Sequence, residues 1–204
     1  KINVKPIKAD AEALQKAADA LADAIGKNKK VLAMIGYGCI RSEAAEELLQ
    51  LVERYQIPFV QTMDAKGLLP ENHPLCLGMY GTSGDKAANA YFADAEVVLA
   101  MGNSFAQNAT FSFQPDLYAD KQLIHINIDP AEIGKVYKAD VAVVSDVKLA
   151  LQAILPMLEK KNLPPLQLNG LPGGHYYEDA PHTDGYFRET LSVSCLATCL
   201  IMPL

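Results

Sequence analysis

Short, uniformly apolar runs alternate with longer amphipathic segments along this chain, and that alternation limits the fold more than any other feature. Val31-Leu-Ala-Met-Ile35, Glu96-Val-Val-Leu-Ala-Met101, Gln122-Leu-Ile-His-Ile-Asn-Ile128 and Val141-Ala-Val-Val144 each read as strands, the first two as strands buried on both faces. Ile57-Pro-Phe-Val60 is a fifth strand, with Pro58 near its start, where a missing N–H is tolerable. Between them lie helical patterns. Leu14, Ala17, Ala18, Leu21, Ala22 and Ile25 recur at spacings of three and four from Asp10, and Gly26 suits the C-terminal cap. A second helix begins at about Ser42 with Ala45, Leu48, Leu49 and Val52 on one face, and a third covers Asp85 to Ala93. A last helix starts at about Asp146 and carries Val147, Leu151, Ile154, Leu155 and Leu158 on one side. Strands separated by helices imply right-handed crossovers. The expected class is α/β: a Rossmann-like, open, mostly parallel sheet of about six strands with helices on both faces.

Two stretches fall outside this rhythm. Met63 to Gly84 is rich in Gly and Pro and reads as a long loop with a brief apolar island at Leu75 to Leu77; loops of this length in compact domains are usually functional. Asp129-Pro-Ala-Glu132 reads as a short helix start, with Asp129 as N-cap. After residue 162 the chain turns to Pro and Gly, so residues 1–162 are expected to form one domain and 163–204 a linker-like tail without an assigned fold. The first residue is Lys1 rather than Met, which fits a piece of a longer protein.

Composition removes several functions. Half of the 204 residues are apolar and 21% are charged, against both disorder and a collagen-like chain. A net charge of −6 argues against a nucleic-acid or anionic-membrane partner, because phosphate surfaces require clustered Lys and Arg. No apolar run approaches the roughly 18 residues of a membrane span. Four cysteines in a chain this long are no secreted disulfide framework, and no signal peptide is apparent, so a reducing, cytoplasmic setting is expected.

The chemistry-bearing signal is a set of loops at the carboxyl ends of successive strands, the edge along which open α/β sheets bind ligands. These are Gly36 to Gly38, Thr62 to Gly67, Gly78-Met79-Tyr80-Gly81, Gly102-Asn103-Ser104, Asn127-Ile128-Asp129 and Ser145-Asp146-Val147. Small, polar and glycine residues recurring there fit a nucleotide better than a protein partner. Each is ordinary by itself: Gly78 and Gly81 also suit turns, and Asp146 also suits a helix N-terminus. An NAD dehydrogenase is not expected, since Arg41 occupies the third fingerprint glycine and Gln61-Thr62 follows the second strand where an acidic residue would stand.

At these loops the sequence resembles a known family. Ala65-Lys-Gly67, Pro70-Glu-Asn-His-Pro74, Leu77-Gly-Met-Tyr-Gly81, Ala95-Glu-Val-Val-Leu-Ala-Met-Gly102 and Ile124-His-Ile-Asn-Ile-Asp-Pro-Ala-Glu-Ile-Gly-Lys135 resemble, in order, the central domain of thiamine-diphosphate-dependent enzymes, nearest to acetolactate synthase and pyruvate oxidase. The resemblance covers about Asp10 to Leu158. It implies that flanking N- and C-terminal domains hold thiamine diphosphate and Mg²⁺, that the parent acts on 2-oxo acids as a homo-oligomer, and that the fragment alone is catalytically silent. It also implies that this domain binds FAD or an ADP-like nucleotide, or nothing. Matching flavin contacts would be Gly36 and Gly38 for backbone approach, Thr62 and Met63 beside the flavin ring, and Gly78 to Gly81 along the chain. Gly102 would approach the diphosphate, and Asp146 and Val147 would lie near adenine. Two departures stand out. Ser104-Phe-Ala-Gln-Asn108 replaces the arginine-bearing segment of acetolactate synthases, and Asn127 replaces the acidic residue that addresses ribose. The thiamine motif is absent, Gly84-Asp85-Lys86 being a near match without its second glycine.

Alternatives are a structural, oligomerising domain with an empty cleft, and an NAD-consuming deacylase-like protein, disfavoured because no C-x-x-C pair is present. Cys195 and Cys199 with His175 and His182 match no familiar zinc spacing. Cys39, near a helix start, reads as a small buried packing residue. His73 and His125 show no acidic or nucleophilic companion, and His125 reads as a hydrogen-bonded strand residue. Glu46 and Glu47 read as a solvated helix face.

Overall fold

A computed structural model describes residue 7 and residues 9–168. Six strands form one sheet: β1 (Val31–Ile35), β2 (Phe59–Gln61), β3 (Cys76–Met79), β4 (Val97–Met101), β5 (Gln122–Asn127) and β6 (Val141–Val144). Their order is β3-β2-β1-β4-β5-β6, and every neighbouring pair is parallel. Five α-helices connect or flank them: α1 (Ala11–Gly26), α2 (Tyr37–Arg41), α3 (Ala45–Tyr55), α4 (Lys86–Asp94) and α5 (Val147–Glu159).

The sheet is apolar on both faces because successive side chains of its strands alternate between two cores. Val31, Ala33 and Ile35 of β1 join Val97, Leu99 and Met101 of β4 in a core roofed by the apolar faces of α1, α3 and α5. Leu32, Met34, Val98 and Ala100 point the other way, into a smaller core built with α4 and a cluster of aromatic rings. In that cluster Phe105 meets Tyr118 and Tyr137 edge-on, at centroid distances of 5.4 and 5.6 Å. Each Leu, Ile or Val sealed this way contributes roughly 1.5–3 kcal/mol relative to exposure. The expectation of helices on both faces holds, although the second face carries one helix, the nine-residue α4, and much irregular chain.

Local chemistry sets several boundaries. Asp10 caps α1 by accepting from Ala13 N at 2.8 Å, and Asp146 caps α5 by accepting from Leu149 N at 3.2 Å. Four details differ from the sequence-based reading. Cys76–Met79 is a sheet strand, where a loop with an apolar island is expected; its edge position lets it be short. Gly36 to Arg41 is no open loop, because Tyr37 begins α2, and the next helix starts at Ala45 rather than Ser42. The second strand is Phe59–Gln61 rather than Ile57–Val60, starting two residues later and ending one later. Asp129 to Glu132 forms a turn instead of a helix start: Asp129 Oδ1 accepts from Ala131 N, and Glu132 pairs with Lys135.

Beyond α5, residues 163–168 lie along the first core, with Leu166 N donating to Tyr55 O at 2.9 Å and the Leu166 side chain buried. The remainder of the expected tail, with His175, His182, Cys195 and Cys199, lies outside the described residues.

Candidate functional site

The strand order reverses between β1 and β4, and a crevice opens outside their carboxyl ends at such a reversal. Their register pairs Val31 with Val97 through Ile35 with Met101, so both strands end level, at Gly36 and Gly102. Gly36 N donates to Met101 O at 2.8 Å, and Gly38 N donates to Gly102 O at 2.9 Å. A Cβ on Gly38 would lie 2.6 Å from Gly102 Cα, and one on Gly36 would collide with the Gly102 carbonyl oxygen. Gly102 itself sits at φ +59, in the left-handed region. The close approach these three glycines permit is thus between the β1 and β4 loops, backbone against backbone.

Above this joint lies a small, solvent-open cleft of about 50 Å³, well below the roughly 300–1,000 Å³ typical of small-molecule sites. Seven sequence-derived candidates line it: Gly36, Thr62, Met63, Tyr80, Gly102, Asn103 and Ser104. Tyr37, Asp64, Ala106, Asn108 and Ala109 also line it and were not singled out from sequence. Met63 and Tyr37 are half exposed and give the cleft an apolar edge. No Lys or Arg lines it among the described residues.

The other candidates lie outside this lining. Gly38 is packed beneath Gly102. Gly78 (φ +96) bends the chain so that Met79 N reaches Asp85 Oδ2 at 2.7 Å, and a Cβ there would strike that carboxylate. Gly81 is held by Asn89, which donates to its carbonyl and accepts from its N–H. Asn127 Nδ2 donates to Asn103 O at 2.9 Å while its Oδ1 accepts from Asp129 N, so its amide already has partners on both atoms. Ile128 is exposed beyond β5. Asp146 caps α5, and its N–H donates to Ile7 O at 2.7 Å. Val147 is buried in the first core.

Several buried polar side chains brace the rim. Gln61 clamps the loop after β2, donating to Leu69 O and accepting from Leu69 N. His125, fully buried in β5, hydrogen-bonds through Nε2 to Asn103 O at 2.9 Å. Burial lowers the His125 pKa below the ordinary 6.5, opposed by that hydrogen bond and by the charge of Glu132. With the ring neutral, Nε2 carries the proton and donates. The Asn103 carbonyl therefore receives two side-chain donors from β5, which holds the loop after β4 against the sheet.

Three minor expectations change or sharpen. His73 has an acidic companion, Glu53 at 3.3 Å, brought near by folding across 20 residues of sequence. Glu47 is no solvated face residue: it is 7% exposed and accepts from Gln152 of α5 at 2.8 Å. Cys39 is buried with its thiol directed to Met101 O, and burial pushes its pKa up to about 12.

The donor set around Gly84-Asp85-Lys86 does not fit a magnesium–thiamine site. The Asp85 carboxylate is engaged by Met79 N, and no group of three or more His, Cys, Asp or Glu side chains converges among the described residues. The cleft itself offers an apolar edge at Tyr37 and Met63 and small polar side chains at Thr62 and Ser104.

Comparison with known proteins agrees with this architecture. Residues 18–154, more than half of the chain, match the model of the thiamine pyrophosphate enzyme central domain. A probable acetolactate synthase large subunit of Methanocaldococcus jannaschii is 42% identical over 137 residues, covering 66% of this chain and 22% of that protein. Its counterpart from Methanococcus aeolicus is 40% identical over 135 residues, with the same coverage. An acetolactate synthase of Mycobacterium bovis is 36% identical over 172 residues, 79% of this chain and 27% of the relative. The chain thus spans about a quarter or less of the curated relatives it matches. It belongs to the thiamine pyrophosphate enzyme family, as that family's central domain.

Proposed function

We propose that this domain serves a longer, acetolactate synthase-like enzyme by holding FAD or another adenine nucleotide in the cleft where the sheet order reverses. The observation that carries the reading is the convergence of Gly36, Thr62, Met63, Gly102, Asn103 and Ser104 on one cleft at the β1–β4 reversal. In this reading Met63 and Tyr37 lie against a planar ring, Thr62 and Ser104 offer hydroxyls, and Ile128 lies where a longer ligand would cross the end of β5. A bound flavin would supply a redox-capable ring, whereas ADP would supply recognition alone. Decarboxylation and carboligation of 2-oxo acids belong to thiamine diphosphate and Mg²⁺ held by flanking domains, within a cytoplasmic homo-oligomer. This chain's residues bind and orient; alone they turn over no 2-oxo acid.

A scaffold without ligand is the second reading, favoured by the satisfied side chains of Asn127 and Asp146 and by the modest cleft. Thermal unfolding with FAD and with ADP separates the two. Ligand at a hundred times Kd stabilises by about 2.7 kcal/mol, a rise of roughly 5–11 °C for a domain of this size. An unchanged melting temperature at millimolar FAD and ADP would leave only the scaffold.

A further inference from the structure

A second groove lies on the outside of the smaller core, between α4 and the chain that leads into β5. It holds about 320 Å³, within the roughly 300–1,000 Å³ of small-molecule sites. It shares no lining residue with the cleft at the strand reversal. Phe92, Phe111 and Leu117 give it apolar walls, and Asp116, Asp120 and Lys121 bring charge to it. One wall is strained. Phe111, Ser112 and Phe113 are three successive residues in the left-handed region (φ 49, 62 and 62), a conformation that bulky side chains avoid. Burial does not account for the strain, because Phe111 is half-buried and Ser112 and Phe113 are exposed. Thr110 holds the turn, its hydroxyl accepting from Phe113 N at 3.0 Å and its carbonyl from Gln114 N at 2.9 Å. The turn sets the Phe111 ring edge-on to Tyr80, with centroids 5.8 Å apart, as a fixed side of the groove.

The charge of the groove is unbalanced. The Lys121 side chain is 3% exposed and fully engaged: its ammonium donates to Ala93 O at 2.9 Å and Ala95 O at 3.2 Å, and pairs with Asp120 at 3.0 Å. Lys121 therefore offsets Asp120 and has nothing left for a ligand. The Asp116 carboxylate has no partner among the described residues. An anion entering the groove would meet that carboxylate without a free cation to offset it, whereas a cation with an apolar body suits the walls and the charge together. We propose that this groove binds a small organic cation, a primary ammonium paired with Asp116 and carrying an aromatic or alkyl body that packs against Phe111 and Leu117. The assignment is independent of what occupies the cleft at the strand reversal.

The test is backbone amide NMR on the ¹⁵N-labelled 204-residue chain, titrated with four probes. Phenethylammonium carries both ring and positive charge, 2-phenylethanol the ring alone, methylammonium the charge alone, and 3-phenylpropionate the ring with the opposite charge. The expected result is a saturable shift of amides in residues 89–93 and 111–121 with phenethylammonium, weakening as salt is raised. 2-Phenylethanol should bind there up to about 5-fold more weakly, the worth of one solvent-accessible ion pair, and the other two probes should leave these amides unmoved. Asn at position 116 removes the charge and no hydrogen bond, so Asp116→Asn should bind phenethylammonium only as well as the alcohol, with an unchanged melting temperature. Equal binding of phenethylammonium by parent and Asp116→Asn, or of amine and alcohol by the parent, would overturn the proposal. So would shifts confined to Gly36 and Gly102, or no shift of the groove amides at millimolar phenethylammonium. A response to N-acetyl-arginine amide with none to phenethylammonium would give the groove to a partner protein's side chain and overturn the small-ligand assignment.

Discussion

Gly38 sits inside a helix, where replacing glycine by alanine ordinarily stabilises by up to about 1 kcal/mol; here the opposite sign is expected. A methyl on Gly38 would lie 2.6 Å from Gly102 Cα, whereas carbon atoms rest at about 3.5–4.0 Å. The β1 and β4 loops must therefore part by about 1 Å. Neither neighbour can yield by rotating a side chain, because the obstructing atoms are backbone. Overpacking of this kind costs about 1–3 kcal/mol, and stretching the Gly38 N to Gly102 O hydrogen bond, now 2.9 Å, forfeits part of a further ~0.5–1.5 kcal/mol. Offset by the helix preference, Gly38→Ala should lose about 2 kcal/mol, a fall of roughly 4–8 °C in melting temperature. Gly26→Ala is the matched control. It is also helical, but its methyl would meet only Leu163 Cδ2, at an ordinary 3.7 Å, so it should gain about 0.5–1 kcal/mol. Urea unfolding of the parent and both variants reads the two signs directly. A Gly38→Ala midpoint at or above the parent's, alongside a raised Gly26→Ala midpoint, would refute the backbone-joint account of these glycines.

Other consequences are open to direct measurement. Asp85→Ala removes the acceptor of Met79 N at the end of β3 and should cost about 1–3 kcal/mol in urea unfolding; an unchanged midpoint would show that the carboxylate does not hold that loop. The native pKa of His125 lies below its ordinary 6.5. The unfolded chain therefore binds the proton more readily, and its contribution is whole above pH 6.5 and declines as pH falls toward the lower native value. His125→Gln should flatten that part of the stability–pH curve, and an equal slope in parent and variant would assign the dependence elsewhere. Cys39, its pKa raised to about 12 by burial, should resist iodoacetamide at pH 8 in the native state and react after denaturation, as mass spectrometry of the digested chain would reveal. Rapid native labelling of Cys39 would contradict its placement.

The strands were legible where both faces are buried. β1, β4 and β5 have no solvent side to dilute their apolar content, so the pattern carries their identity without help from tertiary context. β3 was hidden because an edge strand with one neighbour can be short and can carry a glycine: Gly78 lies within Cys76–Met79, and the ladder shifts register between Phe59 and Gln61. The Asp129 turn was misread for a different reason. Its residues suit a capped helix and an Asx turn equally, and the helical ladder that would separate the two does not follow. Ser42 shows the same ambiguity: it reads as the approximate start of the second helix, yet its hydroxyl donates back to Gly38 O and closes α2.

Which loops gather at the cleft was partly legible, because the carboxyl ends of parallel strands share one edge whatever their sequence. Which atoms remain available there was not. Asn103 and Asn127 are the same residue type at the ends of adjacent strands, and sequence gives no ground for ranking them. Folding spends the Asn127 amide on the Asn103 carbonyl and on Asp129 N, while Asn103 keeps an unpaired nitrogen. The difference is one of register: β4 ends one pair earlier than β5, so Asn127 stands where it can reach back to the carbonyl after Gly102, and no further strand residue stands where it could serve Asn103 in turn. Binding capacity along such an edge is therefore set by the hydrogen bonds the loops fail to make with one another, and among the described residues the chain after β3 and the loop after β4 each leave one unmade at the cleft, at Tyr80 Oη and Asn103 Nδ2.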